Sequence, residues 1–238
     1  MDAIHDPAPV PGADRVALVM LPGARDRAQD LVEQGLVRAL RKRGLAVDAV
    51  IVNARFDHYL EHSVVAQLEQ DVIAPLRKRG LARLWLMGIS LGGMGALSYA
   101  REHAGAIEGV ILLAPFLGTR GLIAEISHAG GLRRWQPGTI APEDDERRLL
   151  AWLQQYRAGD PALPRICLGY GTEDRYAPAS FMLAQQLPGR QVMAIPGGHD
   201  WPTWLKLWDR LLDGDVFHSS GASAPPDPGR SSLGAVPK

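Results

Sequence analysis

Six short apolar runs punctuate the chain, at residues 16–21, 46–52, 84–89, 110–114, 166–170 and 191–195. Each is nearly continuous in aliphatic residues rather than alternating with polar ones, the pattern of strands covered on both faces. Helical patterns lie between them. In residues 28–43, Leu31, Val32, Leu36, Ala39 and Leu40 recur at three- and four-residue spacing. In residues 60–79, Val64, Val65, Leu68, Val72, Ile73 and Leu76 do the same, and Pro75 is expected to kink or shorten that helix. Strands alternating with helices predict an α/β fold with a mostly parallel sheet of about six strands.

Local punctuation supports this layout. "RKRGLA" occurs at residues 41–46 and again at 77–82, each time between a helical pattern and a strand. Cations suit the negative end of a helix, and Gly44 and Gly80 suit the left-handed position just beyond it. The repeat is therefore read as a helix stop, not as a nucleic-acid patch. Residues 115–164 interrupt the alternation. They hold no clear strand, and a helical stretch starts near Pro142 with "PEDDERRLL". Its acids face different directions on a helix, so they are read as helix-start residues and not as a metal site. An insertion of this length after a strand is expected to cap a site. Residues 1–14, with three prolines, predict a flexible arm, and residues 218–238, rich in Ser, Pro and Gly, a disordered tail. The domain is placed at residues 15–217.

The candidate chemistry centres on "GISLG", residues 88–92, where a predicted strand gives way to a helix. A serine hydroxyl is a weak nucleophile that needs a base and an oxyanion site. A strand–serine–helix turn exposes the hydroxyl above the sheet, and the next backbone N–H, that of Leu91, faces a developing oxyanion. The glycines fit neither the phosphate-binding pattern ending in Gly-Lys-Ser/Thr nor the dinucleotide-binding G-x-G-x-x-G. Taken alone, the stretch also suits a tight turn with Ser90 as a helix cap. Two later strands supply partners. The run at 166–170 ends in "GTEDRYAP", which offers Asp174, and the run at 191–195 ends in "PGGHDW", which offers His199. Both leave the same sheet edge as Ser90, where ligands gather in open α/β sheets. Glu173 and Asp200 are the rivals for the acid. The second oxyanion donor is expected from the loop after the first strand, "LPGARDRAQD", at the Ala24 N–H with Gly23 as hinge. Arg25 and Asp26 would then stand at the mouth, contacting substrate or pairing with each other. Trp135 in the insertion and Trp201 beside His199 are candidate walls for an acyl or aromatic group, with packing as the alternative, and Trp204 is read as a packing residue.

The order of Ser90 in "GISLG", Asp174 ahead of Pro178, and His199 in "GGHDW" resembles the α/β-hydrolase superfamily over roughly residues 15–213. "PGGHDWPTWLKLW" is similar to the small esterases of the esterase-D and feruloyl-esterase kind. The resemblance implies an α/β-hydrolase fold and a Ser90–His199–Asp174 triad that cleaves an ester or thioester through an acyl-enzyme, with no cofactor or metal. An acyltransferase on the same triad and a non-catalytic module of the same fold are the alternatives. The chain departs from the pattern at Pro22-Gly23, where the family often has His-Gly, and in its short N-terminal arm, which predicts that the usual antiparallel hairpin is missing.

Composition narrows the partners. Lys plus Arg and Asp plus Glu both number 26, so no net field steers nucleic acid. No run approaches a membrane span, and the N-terminus lacks the basic flank and apolar core of a signal peptide. The single cysteine, Cys167, cannot form an intramolecular disulfide. The reading is a cytoplasmic protein acting on a small molecule.

Overall fold

The computed structural model describes residues 1–9, 15–214 and 216–217. Its centre is a seven-stranded sheet in the order β1-β3-β2-β4-β5-β6-β7. The strands are β1 (Ala3–Asp6), β2 (Val16–Leu21), β3 (Val47–Val52), β4 (Arg83–Ile89), β5 (Gly109–Leu113), β6 (Arg165–Gly171) and β7 (Val192–Ile195). All neighbouring pairs are parallel except β1 with β3.

Successive residues of the inner strands feed two separate cores, as the two-residue period of a strand requires. Val19, Leu86, Leu112 and Leu168 face one side, where helices α4 (Val64–Leu68), α5 (Ala74–Lys78), α6 (Leu91–Glu102), α8 (Asp145–Gln155) and α9 (Ala177–Ala184) pack. Leu18, Met87, Ile111 and Cys167 face the other, covered by α1 (Ala28–Glu33), α2 (Leu36–Lys42) and α10 (Trp201–Asp213). None of the described helices is long and apolar enough to cross a membrane.

The expected sheet of six strands is corrected to seven. The additional strand, β1, lies in the segment read as a flexible arm, and it pairs antiparallel from Ala3↔Val52 to Asp6↔Ala49. Its residues are only partly buried, and it carries no apolar run. Main-chain pairing to an edge makes the strand, and such pairing leaves little mark on side-chain pattern. Arg41 holds it down: its guanidinium donates to the Asp6 carboxylate, the Asp6 carbonyl and the Val47 carbonyl. The predicted tail, 218–238, lies outside the described residues.

Both copies of "RKRGLA" end helices. Arg41 and Lys42 close α2, Arg77 and Lys78 close α5, and Gly44 and Gly80 follow with φ of 62° and 83°. Pro75 leaves its mark one turn earlier than expected. Residues Glu69–Ile73, between α4 and α5, form a π-helical turn. Proline has no N–H to give and crowds the preceding carbonyls, and a widened turn relieves both.

Between β5 and β6 stand two helices, α7 (Arg120–His128) and α8. They bury Leu122, Ile126, Leu149, Leu150 and Leu153 in the same core as the sheet. The acids at the start of α8 are committed to protein donors: Asp144 accepts from the Arg147 N–H, Asp145 pairs with His62 and Arg148, and Glu146 accepts from the Thr119 N–H. One short helix, α3 (Phe56–Leu60), follows β3 and leaves Phe56 and Leu60 exposed.

Deleting residues 1–6 should open the β3 edge, whose side chains are all buried. We expect a loss of about 2–4 kcal/mol, a Tm lower by roughly 5–10 °C and concentration-dependent light scattering. An unchanged melting curve would show that β1 contributes no stability.

Candidate active site

Four loops leave the same edge of the sheet, after β2, β4, β6 and β7, and they bring the candidate residues together. Ser90 sits between β4 and α6 with φ 51° and ψ −115°. A non-glycine residue in that region is strained by about 1–3 kcal/mol and persists only where its surroundings hold it. Three backbone hydrogen bonds do so. The Ser90 N–H donates to the Leu113 carbonyl at 3.0 Å, and the Ser90 carbonyl accepts from the Phe116 N–H at 2.8 Å and the Gly93 N–H at 3.0 Å.

The flanking glycines are required by space. A Cβ on Gly88 would lie 2.2 Å from the Gly92 carbonyl oxygen, and one on Gly92 would lie 2.3 Å from that of Leu21. The tight-turn and serine-presenting readings of "GISLG" therefore describe one object. The strand end and helix start pass so closely that no side chain fits, and the serine is what the turn leaves exposed.

Ser90, His199 and Asp174 form a hydrogen-bonded chain. His199 Nε2 lies 2.9 Å from Ser90 Oγ, and His199 Nδ1 lies 2.7 Å from Asp174 Oδ2. A carboxylate only accepts, so Nδ1 carries the proton and Nε2 is left to accept from the serine hydroxyl. The Asp174 side chain is 1% exposed, and its other oxygen accepts from the Tyr176 N–H at 2.7 Å. The rival acids are elsewhere. Asp200 caps α10 through the Thr203 N–H, and contacts with Thr203, its side chain first, hold the Asp200 carboxyl below its usual range. Glu173 is exposed and gives only its backbone N–H, to the Gly197 carbonyl.

A cavity of about 640 Å³ opens over Ser90. Phe56, Phe116, Tyr176, Trp201 and Trp204 wall it, with Gly23–Asp26 and Arg175 at its margin. Tyr176 and Trp204 meet the His199 ring edge-on, with centroids 4.9 and 5.1 Å away. Ala24 and Leu91 both line the cavity. Leu91 is the first residue of α6, so its N–H has no acceptor inside the helix. Arg25 and Asp26 both line the cavity, but no ion pair joins them among the described residues. Burial, then the neighbouring Asp30 carboxylate, push the Asp26 carboxyl up, while the Trp201 indole N–H and His199 pull it back.

Trp135 does not join the site. It is 2% exposed, packs in the core, and donates from Nε1 to Glu125 at 2.8 Å. That placement corrects its candidacy as a substrate wall. An insertion with its own helices has its own core contacts to fill, and an indole meets that need. Phe116, Tyr176 and Arg175 were missed. Phe116 comes three residues after β5 and Arg175 directly after Asp174, so position relative to strand ends was the available signal.

A parallel sheet with the strained serine turn after a central strand, and the aspartate and histidine that bond in series to it after later ones, decides the architecture. The chain has the α/β-hydrolase fold. A family model described as serine aminopeptidase, S33 (Hydrolase_4) matches residues 51–159, which include Ser90 but neither Asp174 nor His199. No curated protein matches. Solved structures with this hydrolase fold are similar over most of the chain. A ferulic acid esterase is 16% identical with a TM-score of 0.58, covering 85% of each chain. The S-formylglutathione hydrolase of Staphylococcus aureus is 15% identical with a TM-score of 0.59, covering 84% of this chain and 80% of that one. The monoacylglycerol lipase of Paleococcus ferrophilus is 18% identical with a TM-score of 0.57, covering 91% and 98%.

Two contrasts test this geometry. Gly88→Ala should lower Tm by roughly 10 °C, because backbone faces the new methyl group, whereas Gly105→Ala, with nothing within 4 Å, should stay within about 2 °C. Trp201→Ala should weaken binding of aromatic ligands in the cavity about tenfold, whereas Trp135→Phe should lower Tm and leave that binding alone. Equal binding losses from the two tryptophans would contradict the assigned cavity wall.

Proposed function

We propose that the protein is a serine hydrolase that cleaves a carboxylic ester or thioester through an acyl-enzyme. The observation that carries this reading is the Ser90–His199–Asp174 hydrogen-bonded chain, whose Ser90 and His199 line an aromatic-walled cavity. The ferulic acid esterase, S-formylglutathione hydrolase and monoacylglycerol lipase among the similar structures support it at the level of reaction class.

The reaction runs in two halves. Ser90 Oγ attacks the carbonyl carbon while His199 Nε2 accepts the hydroxyl proton. The carbonyl π electrons move onto oxygen, where the Leu91 and Ala24 N–H groups stabilise the negative charge. His199 then gives its proton to the leaving oxygen or sulfur as the bond to carbon breaks. Water enters, loses a proton to Nε2, and adds to the acyl carbon. Collapse of that second adduct returns the proton to Ser90 and releases the acid. Asp174 fixes the histidine tautomer and stabilises the imidazolium. Tyr176 and Trp204 restrict the ring by edge contact from two directions.

A panel of p-nitrophenyl esters and acyl thioesters of varied chain length tests the reading. Ser90→Ala should lower kcat by about a million-fold and abolish fluorophosphonate labelling. Asp174→Asn should cost about ten-thousand-fold, because the histidine then favours the wrong tautomer. Wild-type hydrolysis by pure Ser90→Ala protein would overturn the assignment.

A further inference from the structure

Four charged side chains line the cavity: Arg25, Asp26, Arg175 and Asp200. The two acids are engaged. Asp200 caps α10. The Asp26 carboxylate folds under Gly23, 2.7 Å from where a Cβ of that glycine would stand, and is in reach of the Trp201 indole N–H. The two cations are available. Among the described residues Arg25 makes no ion pair or hydrogen bond, and the Arg175 guanidinium lies over the Tyr176 ring, 4.8 Å from its centroid, without a carboxylate partner. Exposed arginines are commonly just solvated, but these two line the same cavity as Ser90, on the loops that carry Ala24 and Asp174.

We propose that Arg25 and Arg175 form an anion subsite, and that the substrate carries its negative charge on the leaving group. The orientation follows from the rings. Tyr176 stands against His199, and Arg175 lies over Tyr176, so the cation is one ring away from the imidazole. The leaving atom takes its proton at His199 Nε2, so a group attached to it reaches Arg175 first. The acyl side offers no such cation. A second chamber of about 620 Å³ shares Phe56, Leu91 and Phe116 with the first. It adds Tyr59, Leu60 and Met94 but is rimmed by Glu143–Glu146. That chamber suits an apolar acyl group and, with Glu143 exposed on its rim and no lysine or arginine in its lining, offers an anionic one no partner. The favoured class is therefore an apolar acyl ester or thioester of an alcohol or thiol that bears a carboxylate or phosphate. Guanidinium groups bind either anion in the same forked geometry.

The inference rests on the hydrolysis reading, and the experiment separates the two. Hydrolysis of 4-carboxyphenyl acetate is compared with that of 4-carbamoylphenyl acetate, each rate normalised to alkaline hydrolysis. The wild type should prefer the anionic ester by roughly five- to tenfold in kcat/KM, and more weakly in 0.5 M salt. Arg25→Ala/Arg175→Ala should erase that preference, and Arg25→Lys/Arg175→Lys should keep most of it. In Ser90→Ala, tryptophan quenching should show 4-hydroxybenzoate binding more tightly than 4-hydroxybenzamide, and the double alanine change should remove the difference. A preference that survives the double alanine change overturns the subsite. An equal preference for mono-4-nitrophenyl glutarate over 4-nitrophenyl butyrate overturns the orientation. If neither acetate is cleaved and Ser90 is not labelled, the hydrolysis reading fails, while the quenching ratio still decides the subsite.

Discussion

The site depends on one close approach of backbone to backbone. Gly88 and Gly92 meet at the turn between β4 and α6, and Gly92 also presses on the Leu21 and Pro22 carbonyls. That contact fixes more than the serine. It sets where the chain leaves β2, and so where Ala24 stands. The hydrogen bond from the Phe116 N–H to the Ser90 carbonyl ties a cavity wall to the same turn. The strain of Ser90, about 1–3 kcal/mol, is balanced by three backbone hydrogen bonds worth about 0.5–1.5 kcal/mol each. A turn held this way returns its hydroxyl to one place.

The acid and histidine loops repeat the device on a smaller scale. A Cβ on Gly171 would lie 2.2 Å from the Gly197 carbonyl oxygen. The Thr172 and Glu173 N–H groups donate to the Ile195 and Gly197 carbonyls. The end of β6 is thus laced to the end of β7, which holds the Asp174 and His199 loops against each other. With one carboxylate oxygen bound to the Tyr176 N–H, the other is left to the imidazole. A buried carboxylate of this kind is tolerated because each of its oxygens has a donor.

Much of this was legible in the sequence because close packing leaves a compositional mark. Glycines two residues before and after Ser90 are what a forbidden Cβ looks like in one-letter code. Apolar runs mark inner strands because both their faces are covered. Where structure rests on the main chain, the mark disappears: β1 is a strand because of its pairing to β3 and its clamp by Arg41, and four residues, none of them fully buried, could not announce that. Trp135 failed for a related reason. An indole suits a cavity wall and a local core equally well, and only its neighbours, Glu125 and Arg147, separate them. The lysine and arginine pattern of "RKRGLA" was readable because helix ends impose the same electrostatics wherever they occur.

Charge in the cavity is the least legible property, and the reason is physical. Balanced totals of 26 and 26 say nothing about any single place. What a site offers a ligand is the set of charges left after internal partners are served. Asp200 serves a helix start and Asp26 sits against its own loop, so two acids beside Ser90 present less negative potential than their count suggests. Arg175 is held by an aromatic ring, which orients a guanidinium without neutralising it. A neutral chain can thus leave two arginines unengaged in its cavity while the acids that share the cleft serve internal partners, and that imbalance gives the cleft a character its fold alone does not supply.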